Sequence, residues 1–193
     1  MAGETRTEIL DAAERLVQVR GFNGFSYADI ATELDLTKAS LHYHFAGKAE
    51  LGRALIERYT DRFGRALDEI EAAGGTAPAK LAAYAEIYAA VLRDRRMCLC
   101  GMLAADYDTL AEPMRAAVVD FFDRNEAWLV RVLEQGEREG TLRLSGSASE
   151  AAQALVSGLE GAMLIARPYG DVSRFESASR RLLATLSAQS TPV

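Results

Sequence analysis

The sequence predicts an all-α protein of about nine helices, with a small N-terminal three-helix domain of helix-turn-helix type and a C-terminal helical bundle. Three observations carry this. Strand-like alternation is nearly absent. Alanine, leucine, glutamate and arginine, all good helix formers, are abundant. Apolar residues recur every three or four positions over most of the chain.

The elements follow in order. Thr5 with Glu8 three residues on forms a capping box that opens the first helix. Ile9, Ala13, Leu16 and Val17 make its buried stripe, and Gly21 stops it. Ser26 with Asp29 opens a second helix that turns Ile30, Ala31 and Leu34 inward. Thr37 caps a third helix of about two turns ending near Phe45. A long helix from Lys48 carries Leu51, Leu55, Tyr59, Phe63, Leu67 and Ile70, and "AAGGTAPA" at 72–79 reads as a linker. Leu81, Tyr84, Tyr88, Val91 and Leu92 mark the next helix, and another starts near Cys98. Pro113 sits in the first turn of a helix carrying Met114, Val118, Phe121, Phe122, Leu129 and Leu133 and ended by Gly140. "SASE" at 147–150 is a capping box before Leu155, Leu159 and Met163, with a stop near Pro168 and Gly170. The last helix opens at "SRFE" and carries Phe175, Ala178, Leu182 and Leu186. Residues 1–4 and 188–193 are expected to fray.

Composition narrows the function. The 193 residues are 49% apolar and 26% charged, as expected of a globular chain. No apolar run long enough to span a membrane appears, and "MAGETRTE" lacks the basic and apolar parts of a signal peptide, so a cytoplasmic protein without membrane association is expected. Two cysteines cannot build a disulfide framework. No nucleophile–base pair, carboxylate dyad or phosphate-binding glycine loop is visible, so the reading is not an enzyme, and no cofactor is expected.

Against a formal net charge of −6, "LTKASLHYHF" at 36–45 holds no acid. Between Leu36 and Lys48 the only formal charges are two lysines, although residues 1–62 hold 8 basic and 10 acidic side chains. Two helices joined by a tight turn give the helix-turn-helix layout. Residues 38–44 would make a rod roughly 10 Å long, and a major groove about 12 Å wide admits it. Leu41 and Phe45, four apart, anchor it. Lys38, Ser40, His42, Tyr43 and His44 are left for solvent. His42 and His44 point to nearly opposite sides of a helix and have no third ligand nearby, so no metal is expected.

"GFNGFSYADIATELDLTKASLHYHFAGKAEL" resembles the DNA-binding domain of the TetR family of bacterial regulators, with the likeness running over residues 5–60. "CLCGMLAAD" and "LEGAMLIAR" are similar to the subgroup that contains electrophile-sensing repressors. The resemblance implies a homodimeric repressor on a palindromic double-stranded operator, released by a small-molecule inducer. It implies residues 1–48 as the DNA-binding domain and 49–193 as the ligand-binding and dimerisation domain. It implies base reading by Lys38, Ala39 and Ser40, and phosphate contact by Ser26, Tyr27, Thr37, His42, Tyr43, His44 and Lys48. Hydroxyls, imidazoles and a lysine near a helix N-terminus suit that task. It places a four-helix dimer interface on the last two helices, with Leu155, Gly158, Leu159, Ala162, Met163, Phe175 and Leu182 as candidates. Asp35 stands where the family usually has glycine, His42 where it usually has an aromatic residue, and Ala28 where it often has arginine.

Tyr59, Phe63, Tyr84, Tyr88, Cys98, Met102, Phe121 and Trp128 are candidate pocket residues, since tyrosines among apolar residues suit an inducer of mixed polarity. As plain core they need no ligand. Cys98 and Cys100 have two readings: small apolar residues in a packed helix, or a thiol activated by Arg93, Arg95 and Arg96 and a helix start. The second makes the protein a redox or electrophile sensor acting through Cys98, the position where the subgroup also has cysteine.

Overall fold

The computed structural model describes residues 2–187. They form nine α-helices: α1 (Ala2–Arg20), α2 (Tyr27–Leu34), α3 (Lys38–His44), α4 (Lys48–Ala73), α5 (Ala77–Arg93), α6 (Leu99–Ala105), α7 (Glu112–Arg138), α8 (Ala148–Ala166) and α9 (Val172–Ala184). Short 3-10 turns follow α6 and α8. The extended pairing among the described residues is one isolated bridge, Leu142 with Ser187.

Local rules account for most boundaries. The Ser26–Asp29 and Ser147–Glu150 capping boxes both form. Pro78 sits in the first turn of α5, and Gly140, at φ +66°, follows α7. Three expectations shift. α1 starts at Ala2, so Thr5 lies inside the helix and is not its cap; Thr7 Oγ1 donates to the Gly3 carbonyl, and residues 2–4 are helical. The 188–193 tail lies outside the described residues. The linker shrinks to 74–76, with both glycines at positive φ, because alanines on either side extend the flanking helices. α9 is capped by Asp171, which accepts from the Ser173 N–H at 2.9 Å, two residues before the expected start.

The chain forms two compact units, one of residues up to Arg62 with Arg96–Phe121, the other of Phe63–Arg95 with residues from Phe122 on. In the first, Ile9, Ala13, Leu16, Val17, Ile30, Leu41, Phe45, Leu51 and Leu55 are buried together, while Leu34 is only half-buried. α4 runs close to the start of α7 here: a Cβ on Gly52 would meet Met114 Cε at 2.4 Å and the Phe22 ring at 2.9 Å, so the missing side chain leaves room for both. Glu14 of α1, 5% exposed, is held by Arg58 and Arg62 of α4, and Arg58 also reaches Asp11 at 2.7 Å. A carboxylate buried between two guanidiniums ties α1 to α4.

The second unit packs α5, α8 and α9 on one another. Leu81, Tyr84, Tyr88, Trp128, Leu129, Leu133, Leu155, Leu159, Met163 and Phe175 form its interior. No helix among the described residues is long and apolar enough to cross a membrane.

Candidate nucleic-acid interface

The turn between α2 and α3 rests on Asp35, which adopts φ 52°, ψ 44°. This is the left-handed conformation that glycine adopts freely and aspartate tolerates better than most residues. The Leu36 N–H then reaches back to the Ala31 carbonyl at 2.9 Å, closing α2. Thr37 Oγ1 accepts from the Ser40 N–H at 3.1 Å and starts α3. Leu41 and Phe45, each 1% exposed, plug α3 into the core.

The opposite face of α3 is open. Lys38, Ala39, His42 and Tyr43 are exposed, Tyr43 at 82%, and Ser40 and His44 are half-buried. Their rings are steadied: Tyr43 meets His44 edge-on at 5.3 Å, and His42 lies 5.0 Å from Tyr27. His42 Nδ1 donates to the Ala46 carbonyl at 3.2 Å, which leaves Nε2 on the outward edge of the ring. Many neighbouring acids are paired with arginine: Glu33 with Arg15, Asp29 with Arg20, and Asp11 and Glu14 with Arg58. A face with few uncompensated acids can approach a polyanion.

Three expected phosphate contacts are committed within the protein. Ser26 gives both its N–H and its hydroxyl proton to Asp29, at 2.7 and 2.6 Å, and these bonds hold the Asp29 carboxyl below the usual carboxylate range. The Tyr27 hydroxyl donates to the Phe45 carbonyl at 3.1 Å; burial, then the charge of Glu50, pushes its pKa up to about 12. Lys48 departs furthest from expectation. Its ammonium donates to the carbonyls of Phe22 and Phe25 and sits 4.6 and 4.2 Å from the two ring centroids. Burial lowers its pKa, opposed by the charges of Asp106 and Asp29. Lys48 therefore pins the α1–α2 loop instead of presenting its charge outward. One basic group was not foreseen. Arg6, exposed on α1, lays its guanidinium 4.7 Å from the Phe45 ring at the end of α3. Its sequence distance from α3 hides it from motif reading.

The candidate pocket residues fall into two groups. In the first unit Tyr59 lies 5.6 Å from Phe121 and its hydroxyl 3.6 Å from Cys98 Sγ, while Met102 is half-buried below Gly21. Cys98 and Cys100 are free thiols, 1% and 0% exposed. Of the three arginines before them, Arg93 pairs with Glu86 and Glu176. In the second unit Phe63, Tyr84, Tyr88 and Trp128 form one aromatic cluster.

The expected dimer residues divide as well. Leu155, Leu159, Met163 and Phe175, none above 1% exposed, are already buried within their own unit. Gly158 faces Leu182 of the same chain, where a Cβ would lie 2.7 Å from Leu182 Cδ2, and Ala162 and Leu182 are half-buried. These side chains join α8 to α9 within one chain. The outward face of α8 instead shows Gly161, Leu164 and Ile165, the last two 57% and 64% exposed, followed by Tyr169 at 59%.

The comparisons with known proteins agree with this geometry. Residues 9–55 match the bacterial regulatory proteins of the tetR family, and residues 77–182 match the tetracyclin repressor-like C-terminal domain. The chain is 30% identical over 152 residues to transcriptional regulator AcuR of Cereibacter sphaeroides, covering 77% of this chain and 69% of that one. It is 28% identical to HTH-type transcriptional repressor NemR of Escherichia coli, covering 91% and 90%. A solved TetR-family regulator from Agrobacterium tumefaciens superposes with a TM-score of 0.94 at 31% identity, over 97% of this chain and 100% of that one. With an exposed α3 set on a two-point apolar anchor, and both halves of the chain matched, the protein belongs to the TetR family of DNA-binding transcriptional regulators.

Proposed function

We propose that the protein is a homodimeric repressor that reads a palindromic operator with α3 and leaves it when a small molecule binds. The observation that carries this is the outer face of α3, where Lys38, Ala39, His42 and Tyr43 stand exposed while Leu41 and Phe45 hold the helix down. In this reading residues 1–48 bind DNA and residues 49–193 bind the ligand and pair the subunits. Two copies of α3 about 34–36 Å apart enter successive major grooves. Lys38 is the long donor, suited to guanine O6 and N7. Ala39 and Ser40 read bases beside it, and Thr37, Tyr43, His44, the outward nitrogen of His42 and the Arg6 guanidinium supply phosphate contacts. The ligand acts through α4, whose residues belong to both units, and it must favour the non-binding arrangement, since equal affinity for both shifts nothing.

Selection from random-sequence DNA, followed by gel retardation and sedimentation, tests this reading. One two-fold symmetric site bound by a dimer is expected, and no retardation at low salt overturns it. On the selected site, Lys38→Ala should weaken binding by about ten-fold or more, with binding to scrambled DNA little changed. Equal loss on both DNAs would make Lys38 a phosphate contact.

The Tyr59 hydroxyl against Cys98 Sγ favours a second reading, in which the releasing signal is oxidation or alkylation of Cys98. Cys98→Ser should then keep operator affinity and lose release by hydrogen peroxide or N-ethylmaleimide. Release that survives the substitution removes the thiol from the mechanism.

A further inference from the structure

His42 is held on two sides. Its ring lies 5.0 Å from that of Tyr27, tilted by 51°. Its Nδ1 stands 3.2 Å from the Ala46 carbonyl oxygen. A carbonyl can only accept, so the ring proton of the neutral imidazole sits on Nδ1. The Ala46 peptide is itself fixed, because its N–H donates to Glu50 Oε2 at 2.8 Å in the first turn of α4. The Tyr27 hydroxyl is committed to the Phe45 carbonyl and, with its pKa pushed up to about 12, stays an uncharged phenol. Nε2, on the outward edge of an exposed ring, is therefore a bare lone pair when His42 is neutral.

That state cannot hold a phosphate. A phosphate oxygen is also an acceptor, and two lone pairs that face each other repel. Two routes give Nε2 a proton. Moving the proton from Nδ1 sets a second lone pair against the Ala46 carbonyl and forfeits that bond. Taking a proton from solvent keeps the bond to Ala46 and adds a charge-assisted one to the phosphate, the stronger kind. The titratable and charged groups around the ring are Tyr27 on α2, Glu50 on α4 through the Ala46 peptide, and Lys38 one turn earlier on α3. His44, two positions on, points to nearly the opposite side of the helix. Imidazoles change charge between about pH 5 and 8. We propose that operator binding is proton-linked at His42: each α3 takes up a proton as Nε2 meets a phosphate. The protonated ring is the form that binds, so the contact is complete in mild acid and is lost as pH rises. This rests on the operator-binding reading above and names how one contact of that site is regulated.

The test measures the affinity of the purified full chain for the selected site from about pH 6 to 8.5 at constant ionic strength, with helical content followed at each pH. Wild-type affinity should fall ever more steeply, toward about ten-fold per pH unit for each α3, the limit set by a single proton. Calorimetry near pH 8 in HEPES and in Tris, which differ in ionisation enthalpy, counts the protons taken up; about one per α3 is expected. His42→Gln keeps an N–H donor that needs no added proton. Its affinity should be nearly level over the same range, and its proton uptake lower by about one per α3. His44→Gln removes the other histidine of the chain and should keep the slope. A level wild-type profile, an equal slope in His42→Gln, or loss of the slope in His44→Gln overturns the inference, and retardation of DNA in those same measurements leaves the repressor reading standing. No retardation at any pH would sink that reading and this inference with it.

Discussion

Lys48→Met should destabilise the reading domain and leave the salt dependence of DNA binding almost unchanged. The ammonium donates to the Phe22 and Phe25 carbonyls and stacks on both rings, so it holds the loop that delivers Ser26 to the start of α2. Methionine keeps an apolar stem of similar length and removes only the charge and its donors. A hydrogen bond from a charged group is worth about 1.5–3 kcal/mol, and losing one leaves its acceptor unmatched. Two such bonds in a half-buried setting make a loss of about 2–4 kcal/mol reasonable, or a melting temperature lower by roughly 5–10 °C in a chain of this size. Operator affinity should fall because fewer molecules hold α3 in place. The slope of log affinity against log salt should stay put, because no phosphate contact is lost. Arg6→Ala should do the reverse: an unchanged melting temperature and a slope shallower by about one unit. An unchanged melting temperature in Lys48→Met, together with a shallower slope, would return Lys48 to the phosphate backbone.

Lys48 also marks where sequence reading stops. The Ser26 and Ser147 capping boxes, the Thr37 cap and the left-handed Asp35 depend on residues within four positions of one another, and each was visible in the chain. The anchoring of α3 by Leu41 and Phe45 follows from one helical turn of spacing. The partners of Lys48 lie 23 and 26 residues upstream, and the Phe45 ring that Arg6 covers lies in a different helix. A motif shows which residue types stand at a surface, but which protons remain available is decided by tertiary hydrogen bonds. α8 illustrates a second limit. Leu155, Val156, Leu159, Met163, Leu164 and Ile165 surround most of its circumference, so periodicity does not select the inner face. Packing by α9 makes that selection, and it buries Leu159 and Met163 while leaving Leu164 and Ile165 outside.

That outer face carries the other large expected effect. On the proposed dimer, Ile165→Asp should leave a monomer of 21.0 kDa and reduce operator affinity by about two to three orders of magnitude. Gly161, Leu164, Ile165 and Tyr169 lie along one side of α8 and the turn after it, with no Cβ to keep a partner away at Gly161. An apolar strip of this kind on a chain of net charge −6 is better explained by a partner than by solvent. In a two-fold dimer the same patch meets itself, so one substitution places two carboxylates in the contact and leaves both short of water. Because Ile165 is 64% exposed in the single chain, the change removes little from the chain's own core, and helical content should be unaltered. Leu159→Asp would give a different result, since that side chain is 0% exposed and its loss should unfold the unit outright. Sedimentation of both variants separates the two faces. Ile165→Asp that remains dimeric would move the interface away from this strip, and a wild-type chain that sediments as a monomer at micromolar concentration would remove the paired reading heads altogether.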